Sequence, residues 1–195
     1  MPVTYPIADE ISEVLYSVNR QAMAFAGSGS KNGKPTLLQW GAKDTKLESV
    51  SQFLAGYSIY SLSVAPSGNF MGAGTRAGLM RVFSLKGNRL AADPKPVLET
   101  FHQANTPVLS LAFTSDRCVV SAGMDGCIRF WHLQKKEKLP FISAHPGGVL
   151  AIQTMGSLVL ASIGMDQVIK VWDLDTLELK WQSEPLALPK YHTLI

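Results

Sequence analysis

Four aromatic residues each end a strongly apolar run: Trp40, Phe83, Trp131 and Trp172, with spacings of 43, 48 and 41 residues. Self-similarity at such a period means that the chain repeats one supersecondary unit, and units of this kind bury their apolar faces only by stacking on neighbours. The local sequences align around the aromatics: Leu79-Met80-Arg81-Val82-Phe83, Cys127-Ile128-Arg129-Phe130-Trp131 and Val168-Ile169-Lys170-Val171-Trp172-Asp173, with Thr36-Leu37-Leu38-Gln39-Trp40 as a weaker first copy. In the last three, a basic residue stands two before the aromatic, with apolar residues one and three before it. That alternation reads as a strand with both faces partly buried.

A short run lies upstream of each: Phe25–Ser28, Met71–Gly74, Val120–Gly123 and Ala161–Gly164. Further upstream is another apolar strand: Val14–Val18, Ile59–Val64, Val108–Phe113 and Val149–Ile152. Looser segments after the aromatics, Leu47–Phe53, Val97–Phe101, Leu139–Ser143 and Leu177–Gln182, are candidates for a fourth strand. The scattered 16 glycines and 11 prolines suit many short strands joined by turns better than long helices. With 46% hydrophobic and 17% charged residues the chain has the composition of a packed domain and not of a disordered one.

Four strands per unit, about 43 residues per unit and an aromatic closing the third strand: the chain resembles the WD40-repeat family over residues 8 to 184. The match is best in the third and fourth units, moderate in the second and poor in the first. The resemblance implies an all-β fold, a β-propeller of four four-stranded blades forming part of a ring. Residues 1–195 then make a single propeller segment, with blades at approximately 8–54, 55–101, 102–144 and 145–184; 185–195 is a tail or the start of a further strand.

The resemblance also implies a buried polar network in each blade, formed by a His before the first strand, a Ser or Thr on the second, an Asp in the tight turn and a Trp on the third. Blade three supplies His102, Ser121, Asp125 and Trp131; blade four supplies His145, Ser162, Asp166 and Trp172. The role is structural, because every buried polar group needs a partner. Asp125-Gly126 is a hairpin signal by its own chemistry, since Gly takes the positive φ needed there. Blade two departs, with Tyr57, Ala73, Ala77 and Phe83 at the four positions. Loss of all the polar groups together leaves nothing unpaired and is nearly neutral. Blade one carries a longer loop, Ser28-Gly29-Ser30-Lys31-Asn32-Gly33-Lys34-Pro35, in place of the tight turn.

Reactive chemistry is set aside motif by motif. The blade-one loop fails as a phosphate-binding loop: the first required Gly falls on Ser28, and Pro35 stands where Ser or Thr would bind Mg²⁺. Gly72-Ala73-Gly74-Thr75-Arg76-Ala77 resembles a dinucleotide fingerprint, but a strand and not a helix follows it. Four histidines and two cysteines show no ligand spacing such as C-x₂-C or H-x₃-H. The Ser/His/Asp sets are internally repeated and read as scaffold. No catalytic residue, metal or cofactor is assigned, and the chain is not read as an enzyme.

The formal charge of +3 and pI near 8.9 are mildly basic, and the densest cluster is Lys135-Lys136-Glu137-Lys138. The alternative reading, a nucleic-acid-binding propeller subunit, rests on Arg76, Arg81, Arg117, Arg129, Lys31 and Lys34. Arg81, Arg129 and Lys170 occupy equivalent repeat positions, so their basicity is more simply part of the strand pattern. Met1–Pro6 has neither a basic nor an apolar signal region, and no stretch of 18 apolar residues occurs. An intracellular location, cytoplasmic or nuclear, with no membrane partner, is expected. Cys118 is expected opposite Leu133, which puts it about six residues, or roughly 20 Å, from Cys127 along the hairpin. A disulfide needs Cα atoms within roughly 7 Å, so both thiols are expected free.

The leading functional reading is a non-catalytic protein–protein interaction scaffold within a multi-subunit complex, with no small-molecule substrate. The residue before the network Asp points to the ligand-facing rim in such blades, and here those positions are Arg76, Met124 and Met165. Two methionines and an arginine make an adaptable surface suited to protein partners. Four regular blades are expected to form an arc with uncovered ends. The ring can be completed by a further chain or segment, by a second copy, or by closure of the four blades on themselves.

Overall fold

The computed structural model describes residues 57–86 and 89–186 in full and, before them, the strand backbones at 11–16, 22–27, 36–41 and 48–50. Among the described residues every element is a strand, and the strands form four antiparallel sheets of four, in chain order. Blade one comprises β1 (Ile11–Tyr16), β2 (Ala22–Gly27), β3 (Thr36–Gly41) and β4 (Glu48–Val50). Blade two comprises β5 (Ile59–Val64), β6 (Phe70–Thr75), β7 (Leu79–Ser84) and β8 (Pro96–Phe101). Blade three comprises β9 (Val108–Ser115), β10 (Cys118–Gly123), β11 (Cys127–His132) and β12 (Glu137–Ser143). Blade four comprises β13 (Val149–Met155), β14 (Val159–Gly164), β15 (Ile169–Asp173) and β16 (Leu179–Gln182).

The first strands stand side by side: β1 beside β5, β5 beside β9, β9 beside β13. The row ends there. The four blades are an open arc, which removes the reading in which they close on themselves.

Alternation along the middle strands builds the seams between blades. One face of blade two packs Ile59, Leu62, Met71, Ala73 and Phe83 with Leu90; the other packs Met80, Val82 and Leu98 against Val119, Trp131, Leu111 and Phe113 of blade three. The opposite face of blade three, Val120, Ala122, Ile128 and Phe130, packs against Val149, Ile152, Leu160 and Trp172 of blade four. A few hydrogen bonds lock the first strands across the seams. Ser61 Oγ donates to the Val108 carbonyl at 3.0 Å, Ser110 Oγ accepts from the Ile152 N–H at 3.1 Å, and Thr154 Oγ1 donates to the Phe113 carbonyl at 3.2 Å.

The hairpin register sets Cys118 opposite His132, one residue short of the expected Leu133. The strands end together there, so Leu133 lies in the turn, its N–H donating to the Arg117 carbonyl. Cys118 and Cys127 are free thiols. No helix among the described residues is long and apolar enough to cross a membrane.

Candidate interaction site

Two layers make up the site: a buried polar relay in blades three and four, and the exposed rim it supports. In blade three the relay runs from Trp131 through Ser121 and His102 to Asp125. The Trp131 indole N–H donates to Ser121 Oγ at 2.8 Å, Ser121 Oγ lies 2.7 Å from His102 Nδ1, and His102 Nε2 lies 3.0 Å from Asp125 Oδ1. His102 Nε2 also lies 2.7 Å from the donor Nη1 of Arg129, so Arg129 shares the His102–Asp125 end of the relay and the direction of its hydrogen bonds follows the imidazole tautomer. Asp125 Oδ1 also accepts the Cys127 N–H at 3.1 Å, which closes the hairpin turn at Gly126, φ 76°.

Blade four repeats the relay with the imidazole turned over. Trp172 donates to Ser162 Oγ at 2.8 Å, Ser162 meets His145 Nε2 at 2.8 Å, and His145 Nδ1 meets Asp166 Oδ1 at 2.9 Å. Asp166 in turn accepts the Val168 N–H at 3.2 Å. His102, Ser121, His145 and Ser162 are buried. Burial pushes both imidazoles below the usual histidine range, against the pull of their carboxylate partners, so both are neutral at pH 7. For Asp125 and Asp166 burial acts upward but is outweighed by the histidine and backbone hydrogen bonds. Both carboxyls sit below the usual range.

The equivalent basic residues serve this layer. Arg129 is buried: it forms an ion pair with Asp125, donates to Gln103 Oε1 at 3.3 Å and lies 5.6 Å from the Phe141 ring centroid. Lys170 donates to the Ala144 carbonyl at 2.6 Å and faces Asp166 at 3.7 Å. Arg81 pairs with Glu99 at 2.7 Å. These cations answer carboxylates and carbonyls within the blades, which gives the shared strand pattern its reason.

Two structural residues escape a reading based on the four network types. Gly123 and Gly164 end the second strands of the blades that hold a histidine. A Cβ on Gly123 would come within 3.0 Å of His102 Nε2 and 2.6 Å of the Pro107 carbonyl. Blade two has Thr75 at this position, fully buried, with Ala73 and Phe83 also buried. Tyr57, in place of the histidine, is instead 41% exposed, and the buried Thr75 Oγ1 has no hydrogen-bond partner among the described residues, so blade two does leave one polar group unpaired there, contrary to the expectation from its sequence. The signal available in the sequence was the pairing of Gly with His and of Thr with Tyr at matching repeat positions.

The rim residues are placed by one repeated bond. The Arg76 N–H donates to the Ser58 carbonyl at 3.1 Å, the Met124 N–H to Pro107 at 3.2 Å and the Met165 N–H to Gly148 at 3.0 Å. Each acceptor is the residue before a blade's first strand, so the three positions are structurally equivalent and lie on one edge of the arc. Arg76 is exposed, and Met124 and Met165 are 37% and 44% exposed. Gly147 and Gly148, both at positive φ, run between the methionines: a Cβ on Gly147 would touch Met165 at 3.6 Å and one on Gly148 would touch Met124 at 3.4 Å. Exposed Tyr57, Tyr60 and Leu150 stand at the starts of first strands on the same edge.

Among the described residues no group of three or more His, Cys, Asp and Glu could hold a metal ion. The blade-one loop Ser28–Pro35, with Lys31 and Lys34, lies outside the described residues, as do His192 and most of the tail.

Residues 95–132 and 136–173 match the WD domain, G-beta repeat family model. Each match begins on or just before the outer strand of one blade and ends on the third strand of the next, so a sequence repeat spans a seam. The chain is 30% identical over 135 residues to the THO complex subunit 6 homolog of Rattus norvegicus, covering 61% of this chain and 39% of that protein. It is 29% identical over 143 residues to the U3 small nucleolar RNA-associated protein 21 homolog of Schizosaccharomyces pombe, covering 71% and 15%. It is also 30% identical over 122 residues to the ribosome biogenesis protein YTM1 of Eremothecium gossypii, covering 62% and 26%. The chain spans less than half the length of these relatives.

Proposed function

The chain carries WD40 repeats, and from that premise we propose that it is a non-catalytic scaffold that holds protein partners within a multi-subunit complex. The carrying observation is the rim. One repeated backbone bond sets Arg76, Met124 and Met165 at equivalent points on one edge, an arginine in blade two and a methionine in each of blades three and four. A fixed backbone that presents exposed side chains along one edge is what recognition needs. Adaptable methionines next to aromatic and aliphatic surface suit a protein partner. The His/Ser/Asp sets are committed to the relay, which supports reading them as structure.

A second contact is the outward face of blade four. Ala161, Ile163, Ile169 and Val171 are only half-buried, whereas their blade-three counterparts Val120, Ala122, Ile128 and Phe130 are buried under blade four. A chain or segment that completes the ring would cover this face. The subunit character of the THO complex relative supports membership of a complex, and the nucleolar RNA-associated relative supports a nuclear location.

The test is capture of partners by the wild-type chain and by an Arg76→Ser/Met124→Ser/Met165→Ser variant. Loss of at least one partner at unchanged thermal stability supports the rim. Retention of every partner removes it.

A further inference from the structure

In blades two and three the opposite edge of the arc carries the turns β5–β6, β7–β8, β9–β10 and β11–β12, since antiparallel strands alternate in direction. Backbone bonds tie these turns into one row. The Leu85 N–H donates to the Asn69 carbonyl at 2.7 Å, the Ser67 N–H to Asp116 Oδ1 at 3.3 Å, and the Leu133 N–H to the Arg117 carbonyl at 2.8 Å. Along the row stand Lys86, Arg89, Lys95, Arg117, Lys135 and Lys136, against Asp93, Asp116 and Glu137. In these four turns six cations face three carboxylates, of which Asp93 pairs with Lys95 and Glu137 with Lys135, each at 3.4 Å on the exposed surface.

At one end of the row the cations converge. Lys86 and Arg89 exchange both backbone hydrogen bonds, at 2.9 and 3.2 Å, which sets the two basic side chains directly across from each other. Like charges in that arrangement repel. Together with Lys95 and Ser84 they line a cavity of about 240 Å³ that also touches Leu90 and Pro94. Leu90 is buried in the blade-two core and anchors the loop, so the cavity is held by the fold. Arg89 also has contacts within the chain, and its five N–H donors can serve those and an anion together.

We propose that this row binds an acidic segment of a protein partner, with one carboxylate seated in the Lys86/Arg89/Lys95 cavity and its neighbours along Arg117, Lys135 and Lys136. An acidic peptide fits better than a nucleic acid. None of the four turns carries an aromatic side chain on which a base could stack. The proposal rests on the scaffold reading and adds the chemistry of one partner.

The test uses fluorescence anisotropy of the full chain with labelled octaglutamate and, separately, with labelled decauridine RNA. Octaglutamate should bind, weaken steeply with added salt, and lose about 10-fold or more in affinity in Lys86→Glu/Lys95→Glu/Arg117→Glu/Lys135→Glu. A set with Gln at the same four positions, which should lose less, keeps the test valid if charge reversal disturbs folding. Lys180→Glu, on the outer strand of blade four, should bind like wild type. No octaglutamate binding, equal binding by the four-site variants, or tighter binding of decauridine than of octaglutamate would each overturn the proposal. If the surface fails while the chain still captures partners through the Arg76/Met124/Met165 rim, the scaffold reading stands; if rim variants keep every partner, that reading falls instead.

Discussion

The imidazole of His145 occupies the space that a side chain on Gly164 would need. An ideal Cβ at residue 164 would fall against His145 Cγ, Cβ and Nδ1, with no gap for van der Waals contact. Gly164→Ala should therefore force the ring off Ser162 and Asp166 and cost about 1–3 kcal/mol, the usual range for overpacking. His145→Ala removes the ring and should be destabilising alone. Because both changes act on one volume, the double variant should be more stable than the sum of the two losses implies. Chemical denaturation of the four members of the cycle measures this; strict additivity would refute the shared volume.

Asp166→Ala removes the acceptor for His145 Nδ1 and for the Val168 N–H together. The expected cost is on the order of 1–3 kcal/mol, that of a buried group left unsatisfied. Partner binding should weaken only as far as unfolding accounts for it. Loss of binding at full stability would show that Asp166 does more than hold the turn.

Arg129 and Lys170 stand at matching positions but do different work. The guanidinium reaches Asp125, Gln103 and the Phe141 ring at once, a set that a point-charge ammonium cannot reproduce. Arg129→Lys should cost about 1.5–3 kcal/mol, since hydrogen bonds to charged groups are lost. Lys170→Arg, facing one carboxylate and one carbonyl, should change stability by less. Melting curves of the two variants decide it, and equal effects would contradict the separate roles of the two cations.

Acid should unfold the chain in two stages. His102 and His145 have folded pKa values below the unfolded value of about 6.5. The unfolded state then binds more protons, so their contribution is full above pH of about 6.5 and is lost as pH falls from there toward the folded values. Asp125 and Asp166 are also depressed, so their contribution is present above about pH 3.9 and fades as pH falls through the folded values. The melting temperature should fall on going from pH 7 to pH 5, and His102→Gln with His145→Gln should reduce that fall. Asp173 is held at about 2 by the Lys180 ammonium and the Thr176 and Asp175 N–H groups. Carboxyl NMR should find it still ionised at a pH where an ordinary aspartate, with a pKa of about 3.9, has titrated.

What could be read from the sequence follows the range of each interaction. Ser162 and Trp172 are joined across one hairpin, ten residues apart, so a short repeated spacing betrays them. The same holds for Asp125 and the turn at Gly126. The blade assignment and the arc likewise follow from the period of the aromatics. Longer-range features had no such signature. The Ser61 hydroxyl meets the Val108 carbonyl 47 residues away, and nothing local marks it as a seam bond. The partners of Arg129 come from three different segments, so spacing alone showed only a basic residue in a strand. Gly123 and Gly164 were visible as members of a run, but their necessity depends on where a distant imidazole lies.

The seams have one further consequence. Each described blade touches only its immediate neighbours, so opening free energy should vary along the arc as in a one-dimensional lattice. Blade three is flanked on both sides, whereas blade four rests on one seam and leaves β16 fully exposed. Amide hydrogens of β10 and β11 should therefore outlast those of β14 and β15 in exchange, despite nearly identical hydrogen-bond ladders. Binding of anything that covers Ala161 and Val171 should slow exchange in blade four first, which makes that blade the natural reporter of assembly.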